Sequence, residues 1–217
     1  MSPADRLPVK LACDSPLYPQ QVRLYLRSRA PATITALGNL EILSAQRLAL
    51  FCSVKCPGKL ILETYDLVQQ LKQEGVAVVG GFHSPMEREC LEILLRGTAP
   101  VVVCPARSIV KMRVRPELRE PLENGRLLFL SPFDDKQRRA TQENAMARNR
   151  FVSALADAVF IAYAAPGGKT EQFCREVLAW GKRLYVFDSP ENAHLITIGV
   201  TPVAPDSVLH ELKNIGF

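Results

Sequence analysis

The stretch Met146-Ala-Arg-Asn-Arg-Phe-Val-Ser-Ala-Leu-Ala-Asp-Ala-Val-Phe-Ile-Ala-Tyr-Ala-Ala-Pro-Gly-Gly-Lys-Thr170 decides how the rest of the chain is read. It holds the last turns of a basic helix, a short apolar strand at 158–162, and a glycine-rich loop opening a new helix at Thr170. A short apolar strand set between helices is the unit of a parallel sheet covered on both faces. Arg148, Asn149 and Arg150 bring cationic forks and an amide, while Gly167, Gly168 and Thr170 bring backbone N–H groups and a hydroxyl. Lys169 adds a point charge, so the stretch carries the chemistry of a phosphate or nucleotide site.

The same alternation runs outward in both directions. Apolar strands are predicted at 48–51, 76–79, 99–104, 126–130 and 183–187. Helices are predicted between them at 60–74, 85–96, 137–155 and 170–181. Ser84 before Pro85, with Glu87 three residues after Ser84, spells a capping box with proline at the first helical position. Right-handed crossovers turn this order into an α/β fold with a doubly wound, mostly parallel, Rossmann-like sheet. Residues 1–45 read as a small N-terminal appendage, 46–203 as the Rossmann-like domain and 204–217 as a C-terminal tail.

Composition narrows the function. A chain of 217 residues with 47% hydrophobic and 23% charged residues can bury a substantial core. No apolar run approaches the roughly 20 residues of a membrane helix, and Met1-Ser-Pro-Ala-Asp-Arg6 lacks a signal-peptide core. A cytoplasmic protein without membrane contact is expected. The six cysteines form no CxxC pair, and four lie in apolar segments, which suits reduced, buried thiols better than a metal or redox site. The net charge of +5 is modest, but it is clustered at Arg107–Arg119 and at Lys136–Arg150. Such clusters suit a polyanionic partner, although Glu117, Glu120 and Glu123 interleave the first and allow a plain solvated face.

In a doubly wound sheet, ligands sit beyond the carboxyl ends of the strands. The candidates there are Ser53 and Lys55; Gly80, Gly81, Phe82, His83, Ser84 and Glu87; Arg107; Ser131; and Gly167 to Thr170. Phe82 offers a ring for stacking on a base and His83 a donor to phosphate. A tight turn, a good N-cap and a packed Phe82 explain the same loop. Glu87 is positioned to orient a ribose or act as a base, and capping explains it equally well. Pro166-Gly-Gly-Lys-Thr170 is neither a Walker A loop nor G-x-G-x-x-G. Arg148 and Arg150, two apart on a helix, point about 200° apart and cannot share one face. One of them is left for an internal contact, with Glu143 and Asp157 as candidate partners. Nothing among the three histidines supports Ser–His–Asp chemistry, and neither a metal nor a cofactor is expected.

Several segments together resemble a known family. Ala147-Arg-Asn-Arg-Phe-Val-Ser-Ala-Leu155 is similar to the R-N-R-I-I-A-G-L segment of DNA-processing protein A (DprA, also called Smf). Leu17-Tyr-Pro19, Leu37-Gly-Asn-Leu40, Gly181-Lys-Arg-Leu-Tyr-Val-Phe187 and Asn192-Ala-His-Leu-Ile196 with Gly199 follow the family's other motifs in order. The resemblance implies an extended Rossmann fold, single-stranded DNA binding, and a role in natural transformation with a RecA-type recombinase as partner. A homodimer is compatible with it. It also implies a pocket formed by Ser53, Lys55, the Gly80-Gly81 loop, Arg148, Asn149, Arg150 and Gly167–Thr170. The chain departs from the family at 80–91, where one glycine of S-G-x-A-x-G-I-D-x-x-A-H survives. The alternative is a nucleotide-binding sensor or a nucleoside-monophosphate phosphoribohydrolase of the same superfamily. Pro166-Gly-Gly-Lys-Thr-Glu171 is similar to the P-G-G-x-G-T-x-x-E loop of the LOG-type enzymes, with one glycine missing and Glu171 out of place.

Overall fold

A computed structural model describes residues 7–213. The Met1–Arg6 segment and the end of the tail, 214–217, lie outside the described residues. The strands are β1 (Val9–Ala12), β2 (Thr33–Gly38), β3 (Arg47–Cys52), β4 (Ala77–Gly80), β5 (Val101–Val103), β6 (Leu127–Ser131), β7 (Ala158–Tyr163), β8 (Leu184–Phe187) and β9 (Thr201–Val203). The helices are α1 (Gln20–Leu26), α2 (Gly58–Leu71), α3 (Pro85–Leu95), α4 (Pro116–Glu123), α5 (Gln142–Leu155), α6 (Lys169–Ala179), α7 (Ala193–Thr197) and α8 (Val208–Lys213).

These strands join one sheet in the order β1-β2-β6-β5-β4-β3-β7-β8-β9. From β6 to β9 every pairing is parallel, while β1 and β2 add an antiparallel edge beside β6. The residues read as an appendage therefore lengthen the main sheet. The central strands are buried on both faces, as their unbroken apolar runs require. Ala49 and Phe51 face the layer containing α1, α5 and α6; Leu48 and Leu50 face the layer containing α2, α3 and α4.

The helix that carries Arg148 begins at Gln142, not near 137. Thr141 caps it, its hydroxyl accepting from the Asn144 N–H at 3.1 Å. Upstream, Asp134 and Gln137 bond to each other's backbone in a turn that holds the chain out of the helix. Elements not expected from the sequence include β1, β9, α4 and α7. β1, β9 and α7 are too short to show a period, and the eight residues of α4 bury only Leu118, Pro121 and Leu122 amid a charged, proline-containing segment.

A polar cluster closes the amino ends of the central strands. Asp157, just before β7, accepts from the Arg47 backbone N–H at 2.8 Å, from Nε at 3.1 Å and from Nη2 at 2.9 Å. Asp157 is thus spent on Arg47, not on the arginines of α5. Lys182 is buried nearby, its ammonium 3.9 Å from the centre of the Tyr25 ring. Burial pushes this ammonium down to about 8, with Asp157 opposing the shift and Arg47 adding to it.

Replacing Asp157 with Asn strands a buried guanidinium and is expected to cost about 3 kcal/mol in urea unfolding. For Lys182 the folded pKa lies below the unfolded value of about 10.4, so the unfolded chain binds more protons between them. The Lys182 penalty is full below pH 8 and disappears as pH rises towards about 10.4, a gain on the order of 3 kcal/mol. Lys182→Met should remove that rise from the pH dependence of unfolding free energy; an unchanged profile would count against it.

Candidate functional site

Strand order reverses between β3 and β7, which lie side by side while their crossovers lead in opposite directions. The crevice beyond their carboxyl ends is the default ligand site of such a sheet. Ser53, immediately after β3, stitches the two loops together. Its N–H donates to the Tyr163 carbonyl at 2.9 Å, and its Oγ lies 3.1 Å from Thr170 Oγ1. The same Oγ accepts from the Ala165 N–H at 3.1 Å. The loop after β3 and the start of α6 therefore meet, as the sequence leads one to expect.

The next loop is built on Glu87. Ser84 Oγ accepts the Glu87 N–H at 3.3 Å, and the Glu87 carboxylate accepts the Ser84 N–H at 3.3 Å, completing the capping box. The carboxylate does more than cap. One oxygen accepts from the Cys52 N–H at 2.9 Å, the other from the His83 N–H at 2.8 Å. Buried and bonded on both oxygens, Glu87 locks the end of β3 to the loop after β4. This corrects its reading as a ribose ligand or base.

Arg148 enters this scaffold from α5. It is only 5% exposed. Its Nη1 donates to the Cys104 carbonyl at 3.2 Å and its Nε to Asn149 Oδ1 at 2.8 Å. Burial pulls its guanidinium below the ordinary arginine range, and the Glu87 carboxylate opposes the shift. Gly81 exists for this side chain: a Cβ built there would overlap the guanidinium. The divergence expected from helical geometry is observed, since Arg150 turns away to α6. Arg150 Nε donates to both Glu176 oxygens, at 2.8 and 2.9 Å, and Arg29 reaches the same carboxylate at 3.2 Å. Although burial acts against it, this pair of arginines holds the Glu176 carboxyl below the usual carboxylate range.

Other candidates move out of reach of a ligand. Phe82 is not a stacking platform: it is 5% exposed, takes a φ of 47° and packs its ring under Gly80 into the core. Ser131 is buried, its hydroxyl donating to the Arg107 carbonyl at 2.9 Å and accepting the Phe133 N–H at 3.2 Å. Ser84 is consumed by its cap. The N–H groups of Gly167 and Gly168 are not bare either: they donate to Glu171 Oε2 at 2.8 Å and to the Ala165 carbonyl at 2.9 Å. The Gly167 N–H, with Arg175, holds the Glu171 carboxyl below its usual range.

Most of the charged side chains left exposed on these loops are cationic, with Asp134 and Asp135 beside those that follow β6. Lys55 follows β3, Arg107 follows β5, Lys136, Arg138 and Arg139 follow β6, and Lys169 follows β7, so all rise from the carboxyl rim of the sheet. His83 is exposed on the loop after β4, and Asn149 is half-buried beside Arg148. In the sequence, Lys136, Arg138 and Arg139 stand out only as a charge cluster; the sheet order is what brings them to the same rim.

The sequence profile of the family described as DNA recombination-mediator protein A matches residues 10–198. No curated protein matches the sequence. Among solved structures, DNA processing protein A from Streptococcus pneumoniae is similar with a TM-score of 0.76 and 18% identity, over 95% of this chain and 75% of that one. DNA processing protein A from Helicobacter pylori, described for its single-stranded DNA binding mode, also scores 0.76, with 17% identity over 99% of this chain and 98% of that one. The molybdenum cofactor binding protein from Rippkaea orientalis scores 0.55, with 13% identity over 79% of this chain and 97% of that one. At these identities the likenesses concern the fold alone.

The packing of Gly81 against Arg148 predicts strong coupling. Gly81→Ala should displace the guanidinium and cost about 1–3 kcal/mol, as overpacking does. In an Arg148→Ala background the same change should cost little, which a double-mutant cycle in urea unfolding reads directly. Additive costs would mean that the two residues do not press on each other.

Proposed function

The chain belongs to the DNA recombination-mediator protein A family, and we propose that it binds single-stranded DNA across the carboxyl rim of its sheet. The observation that carries this reading is the set of exposed cations Lys55, Arg107, Lys136, Arg138, Arg139 and Lys169, which stand on the loops that follow β3, β5, β6 and β7 at the carboxyl ends of the strands. A set of separate cations suits the repeating charge of a strand, whereas one mononucleotide engages only a few of them. Arg148 supports the binding surface from beneath by holding the Gly81 and Cys104 ends together. In this reading contact is mainly with phosphates and is tolerant of sequence, because the Phe82 ring of the Gly80–Glu87 loop is buried and not available for stacking. The family's description as a recombination mediator supports delivery of the bound strand to a RecA-type recombinase. A phosphoribohydrolase draws no support from the geometry, since Glu171 is bonded to its own loop and to Arg175.

Fluorescence anisotropy of a labelled oligothymidylate tests the proposal. Affinity should fall steeply with salt. Combining Lys55→Ala, Arg107→Ala and Lys169→Ala should reduce the slope of log K against log salt by about 2, at roughly 0.7 for each phosphate no longer neutralised. No binding at low ionic strength, or an unchanged slope in the folded triple variant, would overturn it.

A further inference from the structure

A second feature lies at the opposite pole of the sheet. Gly181 and Lys182 lead into β8, so the carboxyl end of α6 is at the amino ends of the strands, far from the rim loops. There the end of α1, the turn that follows it and the end of α6 enclose a cleft of about 520 Å³. That volume lies within the range of small-ligand sites, about 300–1,000 Å³. Its walls include Leu24, Tyr25, Arg27, Ser28, Arg29 and Trp180, and among the described residues its lining carries no acidic side chain.

Three observations give this cleft a chemistry. Tyr25 and Trp180 stack with ring centres 6.1 Å apart and planes inclined by 30°, and the buried Lys182 ammonium props the Tyr25 ring. An aromatic pair in a solvent-open cleft offers a π-face of the kind that bases stack on. Arg27 and Arg29 bring two exposed guanidinium groups, with Ser28 between them. Arg29 shares a carboxylate, Glu176, that is already held by Arg150. Finally, Arg27 takes a φ of 51° and a ψ of −119°, a backbone conformation natural to glycine. Strain of this kind collects at ligand sites, and here it falls on a cationic residue lining the cleft.

We propose that this cleft binds a nucleotide unit, with its base on Trp180 and its phosphate on Arg27 and Arg29, at a site separate from the rim. The unit is either a free nucleotide or one residue of a DNA strand. The shared chemistry is a flat base joined to an anion.

Trp180 is the single tryptophan of the chain, so its emission reports on this site alone. Titration with deoxyadenosine monophosphate and with oligothymidylate should quench that emission. Quenching by both assigns free nucleotides to the cleft; quenching by the oligonucleotide alone assigns a strand. Arg27→Gly keeps the turn, because glycine adopts the observed φ, and should weaken quenching about tenfold, as removal of one charge-assisted bond to phosphate implies. Arg29→Gln, which leaves the backbone unchanged, should weaken it in the same direction. The Lys55, Arg107 and Lys169 triple variant should still show quenching by the monophosphate, or by the oligonucleotide at raised concentration, which separates this site from the rim. No quenching by either ligand, undiminished quenching in both arginine variants, or deoxyadenosine binding as well as its monophosphate would overturn the proposal.

Discussion

One buried carboxylate holds the ligand end of this fold together. Glu87 accepts from Cys52 at the end of β3 and from His83 and Ser84 in the loop after β4. These N–H groups lie beyond the sheet's own hydrogen bonds, and a buried donor left unpaired costs about 1–3 kcal/mol. Satisfying them with one side chain fixes two strand ends relative to each other. The Arg148 guanidinium then lies across Gly81 and reaches the Cys104 carbonyl after β5. Charge attraction between Glu87 and Arg148 links the two devices. Three neighbouring strands are thus tied at their carboxyl ends before any ligand arrives.

This arrangement divides the charged residues into two kinds. Arg148, Arg47 and Lys182 are buried and make internal contacts. Lys55, Arg107 and Lys169 are exposed and stand on loops that the internal contacts keep in place. Only the second kind can exchange water and counterions for phosphate at small desolvation cost, because removing a charge from water is expensive unless the geometry returns the energy. The Arg-Asn-Arg segment, a ligand wall by its residue types, is mostly scaffold. Arg148 faces in and Arg150 faces Glu176, as their angular separation on the helix requires.

The parallel alternation is legible in the sequence because the central strands are apolar along their length and the helices between them pack apolar residues against the sheet. The capping box at Ser84–Glu87 is legible because its chemistry is local. The bonds that Glu87 makes to Cys52, and those that Ser53 makes to Tyr163 and Thr170, are not, since each partner is distant in sequence. Phe82 shows the limit well. Its neighbours suggest an exposed loop tip, yet a left-handed backbone at that residue turns the ring inward. The loop glycines 167 and 168 mislead in the same way, because their N–H groups find partners within the loop.

The sequence by itself determined the sheet class, the helix that diverges its two arginines, the family and the presence of cationic loops. The family follows from the resemblance of several motifs in order and from the profile match; the others follow from periodicity and residue type, which act over a few positions along the chain. Tertiary structure alone decided that β1 and β2 extend the same sheet, that Glu87 and Arg148 are internal ties, and that Lys55, Arg107 and Lys169 share one rim. It also brought Tyr25 beside Trp180. Those outcomes depend on which distant groups meet and which are shielded from water, and neither follows from local sequence alone.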